Sequence, residues 1–394
     1  MGAKCYACKY GENINNTEGN INLSHFVKKY PIGRGGYARV WKVQLKQNNK
    51  IYAMKEISKV KAYLKKWITS IRYEKHILTS LHHNFISNLN FSFQDEENLY
   101  LILDYFPGGD LRFYMNQGIF FSQSQIKFFI SNIILGLNYI HNNNIIHRDI
   151  KPENLMFDGR GYLHLIDFGI ARKIRKDKPI NDRSGTPGYF APEVIMKKSQ
   201  HFSSDFFSVG VICYELIFGK KPFKGENKKE MAEEILYKKI RIKKNEIPKE
   251  FGDDIEALPN FINSLLRRNK KERLGYKGID EIKKHKWLEG IDWNLVENKK
   301  MENVPFIPSI GDNFNINYVN EKDNIHLEHH EYIEYLKKIN QAEIFKHFYF
   351  NYYSLKLLNE NNNNYILKKK SSISSKNTND TDGNISNNDE IISN

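Results

Sequence analysis

Apolar and polar positions recur along this chain in runs short enough to be read element by element. Ala38 to Leu45 and Tyr52-Ala53-Met54-Lys55 have the composition of strands. Between Leu64 and Leu81, residues Leu64, Trp67, Ile71, Leu78 and Leu81 fall on one stripe, which predicts a helix; Glu74 falls on the same stripe. Phe128 to Ile140 is the richest apolar stretch. Ser131, Asn132, Gly136 and Asn138 interrupt it, so it predicts a buried helix and not a membrane span. Leu155-Met156-Phe157 and Tyr162 to Ile166 flank Asp158-Gly159-Arg160-Gly161, the pattern of a two-stranded hairpin.

The ends read differently. Residues 1–25 are polar and Asn-rich, and ordered signals run densely from Phe26 to Trp287. Residues 288–318 carry Pro305, Pro308 and scattered aromatics without period, which predicts an extended strap. His326 to Leu358 regains helical character, whereas residues 359–394 hold too little apolar surface to offset ordering entropy and are expected to be disordered. No internal repeat is visible.

Composition adds limits. The net charge of +14 is spread over Lys-rich faces, and no aromatics interleave with a basic stripe, so no nucleic-acid partner is expected. An anionic membrane or acidic partners stay open. Three cysteines, two of them Cys5 and Cys8, make no disulfide framework, which points to a reducing, cytoplasmic setting. No apolar core follows Met1-Gly2-Ala3-Lys4, so no cleavable signal peptide is expected. Gly2, Cys5 and Cys8 offer acylation sites for membrane association, although Tyr6 stands where the myristoylation pattern wants Ser or Thr. A soluble amino terminus is the alternative.

The chemistry concentrates in His147-Arg148-Asp149-Ile150-Lys151-Pro152-Glu153-Asn154 and, after the hairpin, Leu165-Ile166-Asp167-Phe168-Gly169. A hairpin brings its open ends together, so Asn154 and Asp167 should lie side by side. Their oxygens suit a hard cation such as Mg²⁺, which usually shares its ligands with substrate phosphates. Asp149 is then placed to orient a hydroxyl and Lys151 to neutralise a transferring group, the equipment of phosphoryl transfer. Either motif alone is common; the two in this order are not.

Gly33-Arg34-Gly35-Gly36-Tyr37-Ala38 is a glycine-rich loop. A dinucleotide site would need a helix next and an acidic residue about 20 positions on. A strand follows instead, and Lys55 stands at that distance, so a β-turn-β flap over phosphates fits better. No Gly-x-x-x-x-Gly-Lys-Ser/Thr sequence occurs. A carboxylate on an apolar stripe is costly unless paired, and Lys55 is the partner expected for Glu74.

On these residues the chain from about Phe26 to Trp287 resembles a eukaryotic protein kinase, and Lys151 resembles that of the serine/threonine branch. The resemblance implies an α+β, bilobal fold, with a small antiparallel-sheet lobe (26–103), a hinge (104–109) and a larger, mostly helical lobe (110–287). An extension (288–358) and the tail follow. It implies ATP and Mg²⁺, protein substrates and a monomer. Catalysis would rest on Asp149, Lys151 and Thr186, with metal on Asn154 and Asp167. The nucleotide site would draw on Ile32, Gly33, Gly35, Val40, Ala53, Lys55, Glu74, Leu103, Asp104, Phe106, Asp110, Glu153, Met156 and Phe314. Within that set Val40, Ala53 and Met156 would sandwich adenine. Leu103 would be the gatekeeper, and Asp104 and Phe106 would offer hinge backbone.

Phe168, His147, Leu78 and Leu89 would form a spine, and Glu193 would pair with Arg273. Pro305-Phe306-Ile307-Pro308 and Asn313-Phe314-Asn315 resemble the AGC-class extension. Asn22 with His25-Phe26, Ser92 to Glu97, and Gly108-Gly109-Asp110-Leu111-Arg112 are similar to the YANK-type subgroup; an AGC-like group particular to one lineage is an equal home. Asp110, Glu153 and Glu215 match positions that face substrate arginines in basophilic AGC kinases; a structural role for each, Glu153 and Glu215 above all, is the alternative. Asp182 sits where many carry an activating phosphothreonine, with Arg148 and Arg172 as its pocket. Phe345-Lys346-His347-Phe348 has the pattern of a motif docking on the small lobe, and equally of ordinary amphipathic packing. A catalytically silent scaffold of the same fold is the rival reading.

Overall fold

Five strands of the six-stranded first sheet pair antiparallel: β1 (Phe26–Arg34), β2 (Ala38–Leu45), β3 (Ile51–Ser58), β4 (Leu89–Gln94) and β5 (Asn98–Asp104), in the order β1-β2-β3-β5-β4. This computed structural model describes residues 21–35, 38–175, 177–251, 255–309 and 329–353. Gly2, Cys5, Cys8, Gly36, Tyr37, Asn313, Phe314, Asn315 and the tail from residue 354 lie outside them. By contacts the chain falls into two units, Ile21–Phe350 and the two ends, Met1–Asn20 with Asn351–Asn394. Everything below concerns the first.

The sheet register places the cleft. Val40 pairs with Lys55, Lys55 with Leu101, and Ala53 with Leu103, so these side chains line one face where three strands meet. The entrance to β1 is set by Asn22, whose side chain accepts from Ser24 N–H (3.0 Å) while its own N–H donates to His25 Nδ1 (3.2 Å). That capped turn delivers Phe26 into a buried cluster with Tyr52, Phe91 and Phe93. Asn22, His25 and Phe26 are thus the start of the folded lobe.

The single helix expected over 64–81 is two. α1 (Lys59–Leu64) stops, Lys66 turns through a positive φ of 59°, and α2 (Ile68–Ser80) starts on a new axis. A left-handed residue cannot continue a right-handed helix. Ile71, Glu74, Ile77 and Leu78 then form the buried face of α2.

The rest is mostly helical. α3 (Leu111–Asn116) is capped by the Asp110 carboxylate, and α4 (Gln123–Asn142) by a reciprocal Ser122–Gln125 box. Two short pairs follow: β6 (Ile145–Ile146) with β9 (Arg172–Lys173), and β7 (Leu155–Phe157) with β8 (Leu163–Leu165). The latter is the expected hairpin. α5 (Pro192–Ile195), α6 (Ser203–Phe218), α7 (Lys228–Tyr237), α8 (Leu258–Leu265) and α9 (Ile279–Lys283) complete the larger lobe. Apolar residues fill α6 on nearly every face, so it lies at the centre.

The strap is not extended from its start: Asp292 caps a short helix, α10 (Trp293–Glu297). Beyond it, Phe306 inserts among Tyr114, Phe121, Phe129 and Phe157 at centroid distances of 4.8–5.7 Å. Gly161 (φ 89°) is needed there, because a Cβ would sit 1.8 Å from the Phe306 carbonyl oxygen. Just upstream, Lys299 donates to Asp158 (3.0 Å) and to buried His164 (2.5 Å), and the His164 ring stacks on Phe106 at 4.0 Å.

α11 (His329–Gln341) packs against α1. Asn340 accepts from Lys59 (2.9 Å) and donates to the Glu96 carbonyl (3.0 Å). Phe345 and Phe348 are buried, and their carbonyls accept from Gln94 (3.0 Å) and Ser92 (2.5 Å). The Phe345–Phe348 cluster therefore docks on the sheet lobe, and Ser92 and Gln94 receive it.

Candidate active site

Asp205, at the start of α6, is buried and accepts from the backbone N–H of His147 (3.0 Å) and Arg148 (2.9 Å) and from His141 (2.8 Å). Burial pushes this carboxyl up, but those donors outweigh it and hold it low. They also hold Arg148 at φ 74°, a strained value for a non-glycine residue. That kink aims the following residues at one point. Asp149 Oδ1 accepts from Thr186 Oγ1 (2.7 Å), Thr186 Oγ1 accepts from Lys151 Nζ (2.8 Å), and Lys151 Nζ lies 2.9 Å from Asp149 Oδ2. Asn154 Nδ2 donates to Asp149 Oδ2 (3.0 Å) and to the Asp149 carbonyl (2.9 Å), leaving its amide oxygen to face the other way.

The hairpin carries Asp167 to the same place. Leu155 pairs with Leu165, and Ile166 N–H donates to the Asn154 carbonyl (3.0 Å). Asp167 itself has φ 62°, with its side chain half exposed. Packing pushes its carboxyl up, and the Lys55 ammonium at 3.8 Å with the Gly169 N–H more than offsets this, so it stays ionised. Lys55 Nζ also reaches Glu74 Oε1 at 2.6 Å. Burial raises the Glu74 carboxyl against the pull of Lys55, and its second oxygen has no partner among the described residues. The His147 and Phe168 rings sit 5.1 Å apart, and Leu78 and Leu89 are buried.

Ile32, Gly33, Val40, Ala53, Leu103 and Met156 are half-buried, the exposure of a cleft wall, and Gly35 at the flap tip is exposed. Gly35 N–H closes that turn on the Ala38 carbonyl (2.8 Å). Asp104 and Phe106 do not turn their side chains to the cleft. The Asp104 carboxylate accepts from Asn88 (2.8 Å) and Asn90 (2.9 Å), and Phe106 is buried on His164. Among the described residues no three His, Cys, Asp or Glu side chains gather around a metal position. Asn154 and Asp167 supply two oxygen sources, so a hard cation between them would complete its shell from a bound group or water.

Glu193 and Arg273 form the buried pair expected, at 2.6 and 2.8 Å. Asp182 accepts from Arg148 Nη2 (2.5 Å) and Ser184 Oγ (2.5 Å). Burial pushes its carboxyl up; the Ser184 and Arg148 hydrogen bonds more than offset this. Arg172 does not join by a direct bond: its guanidinium donates to the Ala171 carbonyl (2.8 Å) and lies over Tyr73.

Two of the acidic trio are engaged from within the chain, as the structural alternative has it. Arg112 Nε donates to Glu153 (2.9 Å), Nη1 to Glu215 (2.9 Å), and Nη2 to Glu215 (3.1 Å) and Tyr189 Oη (2.5 Å). Tyr189 also donates to Glu215 (2.7 Å), and Asp110 is spent in part on capping α3. An internal arginine therefore occupies two of the three carboxylates. Sequence reasoning missed Arg112, Tyr189, Asp205 and Lys299; only the charge of Arg112 beside Asp110 was a local signal.

Comparison with known proteins agrees with this geometry. The model of the protein kinase domain matches residues 26–288. A probable serine/threonine-protein kinase of Dictyostelium discoideum is 36% identical over 291 residues, covering 74% of this chain and 62% of that protein. The serine/threonine-protein kinase sgk-1 of Caenorhabditis elegans is 36% identical over 283 residues, covering 71% and 59%. The cAMP-dependent protein kinase catalytic subunit of Dictyostelium discoideum is 33% identical over 306 residues, covering 76% and 46%. The chain thus spans about half to three-fifths of the length of these relatives.

Proposed function

Because the chain belongs to the protein kinase family, with the serine/threonine kind of catalytic domain, we propose that it transfers the γ-phosphoryl group of ATP to serine or threonine of protein substrates that carry a basic residue upstream. The observation that carries this reading is the Asp149–Lys151–Thr186 triangle beside Asn154 and Asp167. Asp149 Oδ1 and the Thr186 hydroxyl fix where an acceptor hydroxyl would sit. As its oxygen bonds to the γ-phosphorus and the bond to the β-bridging oxygen breaks, its proton passes to Asp149. Lys151, within reach of the same carboxylate, offsets charge on the moving group. Lys55, steadied by Glu74, meets the other phosphates, and the Gly33–Gly35 flap covers them. Mg²⁺ held through Asn154 and Asp167 would neutralise phosphate charge.

Incorporation of labelled phosphate from ATP into an arginine-containing peptide library, with Asp167→Ala as control, tests the proposal. Wild-type signal absent from the control supports it. Nucleotide binding without transfer to any peptide or to general protein substrates would favour the scaffold reading.

A further inference from the structure

We propose that Arg112 is a specificity-determining residue: it closes one acidic subsite of the peptide-binding face from within, so that the enzyme reads one upstream basic residue and not two. This rests on the basophilic reading above. Glu153 belongs to the turn that directly follows Lys151, so its carboxylate flanks the acceptor position. Asp110, Glu153 and Glu215 together bring three negative charges to that flank, and Arg112 returns one positive.

The shares are unequal. Both Glu215 oxygens are engaged by Arg112 and Tyr189, and the side chain is 7% exposed. A substrate guanidinium would have to break two charge-assisted hydrogen bonds that Arg112 makes without any loss of translational freedom. Glu153 differs. Its side chain is 41% exposed and Arg112 takes only Oε1; Oε2 has no partner among the described residues and is shut from solvent until the side chain turns outward. The Glu153 charge also reaches Asp110, so one further guanidinium would relieve two neighbouring carboxylates at once. One receptor is half taken, and one is filled.

The test is kinetics on the full chain, with peptides carrying one arginine at each of the upstream positions in turn, and with all pairs. In the wild type a single position should dominate, and a second arginine should change kcat/KM by no more than about twofold, the scale of a screened surface contact. In Arg112→Ala the second arginine should raise kcat/KM by roughly tenfold, one charge-assisted hydrogen bond regained. Should that variant fail to fold, Glu215→Gln serves, since the single-to-double arginine ratio ought to stay at its wild-type value. Strong dependence on two arginines in the wild type, or loss of discrimination in Glu215→Gln, overturns the role of Arg112 and leaves basophilic preference standing. Indifference to every upstream arginine in both wild type and Arg112→Ala overturns the basophilic reading itself.

Discussion

Lys55 and Glu74 stand 2.6 Å apart behind the cleft, with Glu74 all but sealed from solvent. The pair is a positioning device more than a stabilising one. Burial raises the Glu74 carboxyl, so its charged form is held at a cost, and one of its oxygens has no partner among the described residues. Removing one member of a buried ion pair leaves the other uncompensated, but Lys55 keeps Asp167 at 3.8 Å as a second counter-charge. Glu74→Gln should therefore lower the melting temperature only modestly, while raising the KM for ATP by roughly tenfold through loss of a charge-assisted bond. Calorimetry and steady-state kinetics on one preparation check both halves.

Asp149→Asn keeps the shape of the triangle but removes the group proposed to receive the proton. The kcat should fall by at least roughly 10²-fold, the low end for a positioned base. The KM for ATP should hardly move, because Asp149 touches Thr186, Lys151 and Asn154. A matching rise in the ATP KM would instead place Asp149 in nucleotide binding.

Asp182 is half exposed, yet it is the carboxylate that meets the buried Arg148 guanidinium, whose Nε and Nη1 have no partner among the described residues. Removing it leaves Arg148 with a buried, uncompensated charge beside the strained turn that leads into Asp149. Asp182→Ala should lower kcat/KM by roughly tenfold in protein carrying no phosphate on this segment. Unaltered activity, measured after mass spectrometry confirms that state, would show that the ion pair does not order the segment.

The Glu193–Arg273 pair gives a pH signature. Burial pushes the Glu193 carboxyl up, but the Arg273 hydrogen bonds and charge outweigh it and hold it below its ordinary 4.5. The pair's contribution is therefore complete above 4.5 and is lost as pH falls through the depressed value. Glu193→Gln should destabilise the protein by about 3–5 kcal/mol near neutrality, the cost of orphaning a buried partner. That gap to the wild type should narrow in acid. Denaturant titrations at the two pH values measure it directly.

What could be read from the chain follows from how local each feature is. Asp149, Lys151, Asn154 and Asp167 lie on one loop and one hairpin, so spacing alone implied their convergence. The Lys55–Glu74 pair needed only a stripe and the cost of burying charge. The break before α2 was hidden, because Lys66 adopts a positive φ with no glycine or proline to announce it. Arg112 was hidden for a different reason. Its partners Glu153, Tyr189 and Glu215 come from three separate elements, and no periodicity records that they meet.

The contacts of Lys299 and Phe306 redefine where the catalytic body ends. A fragment cut at Leu288 would strip the ammonium from His164 and Asp158 and open an aromatic socket between α3 and α4. The surface on which Phe106 rests, and with it the link joining the two lobes, would lose its backing. The smallest piece that can be expected to stand alone therefore reaches at least to Phe306, well past α9 of the large lobe.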